Sequence, residues 1–190
     1  MNQDDIRALV ADSVSLKQRF FAAEAPRLLE VGRRMAERLL DGGRLLAFGN
    51  GGSAADAQHF ASELVGRLAR ERRALAAMAL TTDPSSVTAI GNDMGFAAVF
   101  ARQVEAHGRA GDVALAISTS GRSPNVLEGA RAARERGLFT VGLTGNGGGP
   151  LAAAVDSLIA VPHSDTQRIQ EVHSMVLHVL AQIVEEAAAR

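Results

Sequence analysis

The chain has 190 residues, 47% of them hydrophobic, a net charge of −1 and no cysteine. This suffices for one well-cored domain over 1–190, while interspersed charge without a basic patch argues against nucleic-acid binding. Disulfides, thiolate nucleophiles and sulfur metal ligands are excluded, and Lys17 as the only lysine, with no G-x-x-x-x-G-K-[ST] run, argues against a P-loop and a Schiff base.

Apolar residues at helical spacing fill the first forty positions: Ile6, Leu9, Val10 and Val14, then Leu28, Leu29, Val31, Met35 and Leu39. Pro26 predicts a break into two helices, and Asp41-Gly42-Gly43 predicts their end. Five near-continuous apolar runs, 45–48, 75–80, 113–117, 139–143 and 157–161, read as buried parallel strands. Helices are expected over 53–70, 96–107, 124–136, 151–155 and 166–188. The alternation predicts an α/β fold, a three-layer α/β/α sandwich on a five-stranded parallel sheet, with 1–41 as a helical extension. No apolar stretch approaches the roughly 20 residues that span a bilayer, and the leading Met1-Asn2-Gln3-Asp4-Asp5 is acidic, so a soluble cytoplasmic protein without membrane contact is expected.

Two polar turns follow apolar runs and open helices: Phe48-Gly49-Asn50-Gly51-Gly52-Ser53 and Ile117-Ser118-Thr119-Ser120-Gly121-Arg122-Ser123-Pro124. Small residues let backbone approach a ligand, and the free N–H groups of the following helix face an anion. Ser53 with Asp56 resembles a capping box, and Ser123 with Pro124 at the first helical position a second cap. The hydroxyls of Ser118, Thr119 and Ser120 exceed what capping needs, so two phosphate cradles are favoured over two capped helices. Gly145-Asn146-Gly147-Gly148-Gly149 carries no hydroxyl and reads as a plain loop, and Gly91-Asn92-Asp93 as an ordinary turn. A dinucleotide fingerprint is a poor match, because Asp83 is its only available acid and stands too late.

His59 and Glu63, four residues apart, share a helix face and can chelate one ion. Gln170 and His178 lie about 12 Å apart along the last helix, rotated by roughly 80°, with His173 an open third candidate. One chain would have difficulty bringing both to an ion already held by His59 and Glu63, so sites shared between subunits are expected. Arg67 sits where a cation suits the helix dipole, or where it could reach a sugar hydroxyl or phosphate.

Together, Gly49-Asn50-Gly51-Gly52-Ser53, Gln58-His59-Phe60-Ala61-Ser62-Glu63-Leu64, Gly91-Asn92-Asp93, Ser118-Thr119-Ser120-Gly121 and Arg168-Ile169-Gln170-Glu171-Val172-His173 resemble the sugar isomerase (SIS) domain family over practically the whole chain. The resemblance implies a flavodoxin-like sheet and an aldose–ketose isomerase that converts D-sedoheptulose 7-phosphate to D-glycero-D-manno-heptose 7-phosphate, opening bacterial ADP-heptose and lipopolysaccharide core synthesis. It further implies a cytoplasmic homotetramer, its leading helices packed in the oligomer, with one zinc ion per subunit.

Carried over by residue, the resemblance makes His59, Glu63, Gln170 and His178 the zinc ligands. Asn50, Gly51, Gly52, Ser53, Glu63, Asn92, Asp93, Ser118, Thr119, Ser120, Ser123 and Gln170 become substrate contacts. Glu63 and His178 are the expected base and acid, since carboxylate and imidazole can both be tuned toward neutral pH. Gln167 stands where relatives can carry an acid. The alternative is a non-enzymatic adaptor similar to the DnaA initiator-associating protein, which lacks counterparts of Glu63 and His178.

Overall fold

The computed structural model describes residues 1–189. Helix α1 (Gln3–Leu40) starts at Asn2, whose side chain accepts the amides of Asp4 and Asp5 while the Asp5 carboxylate accepts the Asn2 amide, a reciprocal cap. Then come β1 (Leu45–Gly49), α2 (Gly52–Val65), β2 (Ala77–Ala79), α3 (Pro84–Met94), α4 (Val99–His107), β3 (Val113–Ser118), α5 (Pro124–Glu135), β4 (Phe139–Gly145), β5 (Ser157–Val161) and α6 (Thr166–Ala188). The five strands are all parallel, in the order β2-β1-β3-β4-β5, with helices on both faces.

Strand residues alternate between two cores, as a period of two requires. Leu45, Ala47, Val113, Leu115 and Ile117 face α1, α2 and α6, whereas Leu46, Phe48, Ala114 and Ala116 face α4 and α5.

Pro26 does not divide α1. A proline inside a helix costs the carbonyl one turn earlier its partner. Here Ala22, Ala23, Ala25 and Pro26 are all exposed, so the carbonyl freed at Ala22 is on the wet side. On the opposite side Leu16, Phe20, Leu28, Val31, Met35 and Leu39 continue one buried seam past the proline, packed with α6. Half of the leading helix is therefore core of its own chain, not an appendage. Its outer part keeps a cluster of exposed apolar residues, Ile6, Leu9, Val10 and Val14, and Leu29 is exposed further in.

Three other expectations shift. The strand over 75–80 contracts to Ala77–Ala79, an edge that pairs only with β1. The helix expected over 53–70 stops at Val65. Residues 84–94 form α3, whose apolar face is limited to half-buried Val87 and Ile90, so Asn92 and Asp93 end a helix instead of making a plain turn.

Candidate functional site

In this sheet the strand order turns back between β1 and β3, and ligands of such folds bind in the crevice beyond the carboxyl ends of those strands. Both glycine-rich turns leave the sheet there. Gly51 takes φ 56° and ψ −122° as the residue before α2, a conformation that favours glycine. Ser53 is not the cap. It lies buried within the first turn, its amide donating to the Asn50 carbonyl at 3.0 Å. Nor does Asp56 close a capping box. Burial raises its carboxyl pKa, against the opposing pull of His59.

Asn50 and Asn125 exchange two amide hydrogen bonds of 2.9 Å, tying the first turn to the start of α5. Asn125 was invisible to sequence reasoning, because only the fold places it opposite Asn50. In the second turn the hydroxyls of buried Ser118 and half-buried Ser123 lie 3.1 Å apart, and the Arg122 amide donates to Ser120 Oγ at 3.2 Å. Ser123 occupies the cap position, but its hydroxyl makes no capping bond. Gly121 has φ 61°, and a Cβ there would fall 1.9 Å from the Gly148 carbonyl oxygen. The Gly145 amide donates to the Thr119 carbonyl at 3.0 Å. The third glycine run thus braces the second turn from behind.

Helices α2 and α6 run side by side in one direction. At their amino-terminal ends the Gln170 amide lies against Gly52, where an added Cβ would meet its Nε2 at 2.5 Å. Two turns further on, His59, Glu63 and His178 converge, each offering a ligand atom within 4.8 Å of the others. His59 Nε2 is 3.0 Å from Glu63 Oε1. The rings of His59 and His178 are 4.9 Å apart between centroids. Both imidazoles are exposed and Glu63 is half-buried. Two imidazoles and a carboxylate are the donor set of catalytic zinc sites that keep a position open for substrate.

A single chain brings His178 to His59 and Glu63, contrary to the difficulty expected from helical spacing. Gln170 stays at the cradle end. His173 is removed from the metal question: it is fully buried, with Nε2 2.9 Å from the Thr144 carbonyl. Burial lowers its pKa to about 4, against the opposing effect of that hydrogen bond. Asn92 donates to Asp93 at 2.7 Å on the exposed last helical turn of α3, and among the described residues neither bonds to the cradles. Arg67 pairs with Glu71 at 3.2 Å.

These features define a three-layer α/β domain of the SIS type, and the SIS domain family matches residues 10–145. Phosphoheptose isomerase of Roseiflexus sp. (strain RS-1) is 52% identical over 182 residues, 96% of this chain and 90% of that protein. Phosphoheptose isomerase of Neisseria meningitidis (strain MC58) is 48% identical over 186 residues, 96% of this chain and 94% of its own. The structure of a phosphoheptose isomerase from Francisella tularensis superimposes with a TM-score of 0.94 at 36% identity, covering 98% of this chain and 100% of the other. The chain belongs to the phosphoheptose isomerase family of SIS-domain proteins.

Proposed function

We propose that the chain is an aldose–ketose isomerase converting D-sedoheptulose 7-phosphate to D-glycero-D-manno-heptose 7-phosphate. In bacteria this would open the supply of ADP-heptose for the lipopolysaccharide core, in the cytoplasm. The observation that carries the reading is the convergence of His59, Glu63 and His178 two helical turns from paired anion cradles. Those three residues would hold one zinc ion per subunit, with Gln170 a further amide donor toward metal or sugar. When bound, zinc would polarise the substrate carbonyl and offset the negative charge developing on its oxygen.

The remaining chemistry belongs to side chains. The hydroxyls of Ser118, Thr119, Ser120 and Ser123, with Asn50, Ser53 and the amides at Gly51 and Gly52, hold the phosphate and sugar, and Asn92 and Asp93 contact the sugar from α3. Glu63 removes a proton from one of the two reacting carbons and returns it to the neighbour. Its Oε1 faces His59, leaving Oε2 without a hydrogen bond among the described residues and free for that transfer. His178, exposed beside it, serves the two oxygens as acid and base. Both groups that the adaptor reading lacks are therefore present and adjacent.

The site is open in the single chain. Val65 and Met175, 50% and 43% exposed, flank Glu63 and His178 along their helices, and Ile6, Leu9, Val10 and Val14 leave a second apolar stripe uncovered. A homotetramer in which 1–41 helps pack the subunits and a neighbouring chain walls the site would cover both. The test is turnover of sedoheptulose 7-phosphate by the purified protein, with and without a chelator and after zinc is restored. No turnover by zinc-loaded protein would defeat the reading.

A further inference from the structure

The loop leaving α2 is fastened to α6 by two buried side chains. Glu185, 2% exposed, accepts the backbone amides of Leu68 at 2.9 Å, Ala69 at 3.0 Å and Arg70 at 3.0 Å. The side chain of Arg72 is fully buried, and its Nε stands 3.8 Å from the Glu185 carboxylate. Its guanidinium also donates to four carbonyls: Glu63 at 2.6 Å, Leu64 at 2.9 Å, Gly66 at 3.2 Å and Arg73 at 2.9 Å. Those at the end of α2 are carbonyls that a helix terminus leaves unpaired, and a cation there also suits the helix dipole. Burial pushes the Glu185 carboxyl up, but the amides of Arg70, Ala69 and Leu68 and the charge of Arg72 outweigh it and hold its pKa below the ordinary value. The carboxylate thus stays charged opposite the guanidinium.

The location of this pair matters for the site. Of the three converging residues only Glu63 sits on the last turn of α2, the turn that frays first, whereas His59 lies one turn further in. His178 precedes Glu185 by seven residues, nearly two whole turns, and so projects from a similar side of α6. The pair therefore ties the turn bearing Glu63 to the helix bearing His178, just beyond the point where those side chains meet.

We propose that Arg72 and Glu185 are positioning residues, which lock the final turn of α2 to α6 and so hold the Glu63 carboxylate within reach of His59 and His178. This rests on the reading of those three as the metal-holding group. A pair that served folding alone would lower the melting temperature but leave the site intact in every folded molecule. A positioning pair is needed by the site itself. The cradles lie at the opposite end of α2, so substrate capture should be spared.

The test compares wild type, Arg72→Gln, Arg72→Lys and Glu185→Gln for zinc affinity by chelator competition, kcat and KM separately, and melting temperature. Folded Arg72→Gln is expected to bind zinc about tenfold or more weakly, the usual effect of losing a group that orients a ligand. Its kcat should fall while KM stays within about twofold. Arg72→Lys, which reaches fewer carbonyls, should fall between it and wild type. Zinc affinity and kcat equal to wild type, with only the melting temperature lowered, would overturn the proposal. If Arg72→Gln does not fold, Glu185→Gln decides on the same readouts, and Arg72→Lys if neither does. A wild type that binds no zinc defeats both the metal reading and this one, whereas variants that match a zinc-binding wild type defeat this one alone.

Discussion

His59 and His178, one on the helix after β1 and the other on the last helix, stand edge to face with ring planes at 79° and centroids 4.9 Å apart. Each ring offers a nitrogen, and Glu63 an oxygen, within 4.8 Å of the others. That convergence suits one shared cation. Zinc retention should therefore weaken as pH falls, since metal and protons compete for the same nitrogens. Dialysis at stepwise lower pH with metal analysis checks this; retention independent of pH would contradict it.

Glu63→Gln and His178→Gln are expected to lower kcat by about 10²- to 10⁴-fold, the range for general acid–base groups, while the circular dichroism spectrum stays native. Wild-type turnover in either variant would remove it from the proton-transfer scheme.

Because one chain supplies both residues, mixing Glu63→Gln subunits with His178→Gln subunits should restore no activity after verified exchange. Recovery would mean that His178 works on a neighbouring chain's Glu63.

Ser120→Ala should act mainly on KM, since a hydrogen bond to a charged group contributes about 1.5–3 kcal/mol. Gly121→Ala should be more severe. Its φ of 61° disfavours a side chain, and the 1.9 Å approach to the Gly148 carbonyl leaves no room for one. Weak or absent inorganic phosphate binding by folded Gly121→Ala, measured by calorimetry, is the expected result. Unchanged phosphate affinity in both variants would mean that the second turn is no cradle.

His173 is kept neutral inside the fold, its pKa lowered from 6.5 to about 4 by burial. The unfolded chain takes up the proton first, so stability is complete above pH 6.5 and declines as pH drops toward 4. The loss should reach about 3 kcal/mol. Denaturant titrations across that window should show this acid limb in wild type and a flatter one in His173→Gln. Parallel limbs would show that another group governs acid sensitivity.

The sheet was legible because parallel strands buried on both faces must be apolar almost throughout, and the bounds expected for β5 and α6 match those observed. Helix α3 was not, since only Val87 and Ile90 turn toward the core, too short a stripe to read as a period. Pro26 misled because a local rule about one hydrogen bond competed with a packed seam on the far side of the same helix. At the site, His59 and Glu63 were legible as neighbours on one helix. The joining of His178 to them depends on how α6 crosses α2, which no spacing along one helix encodes. Arg72 and Glu185 carry no signal in the sequence, because only the fold buries them together.

On the proposed reading of the site, the parallel course of α2 and α6 would also act as a length gauge. A ligand whose phosphate rests near Gly52 and whose carbonyl must reach His59, Glu63 and His178 has to bridge about 10 Å, seven residues of helical rise. A sugar phosphate several carbons shorter could occupy the cradle without its reactive end arriving at the imidazoles. It would behave as a competitive ligand that is never turned over. Discrimination by chain length would thus follow from the pitch of two helices, with no side chain needed to reject the shorter molecule.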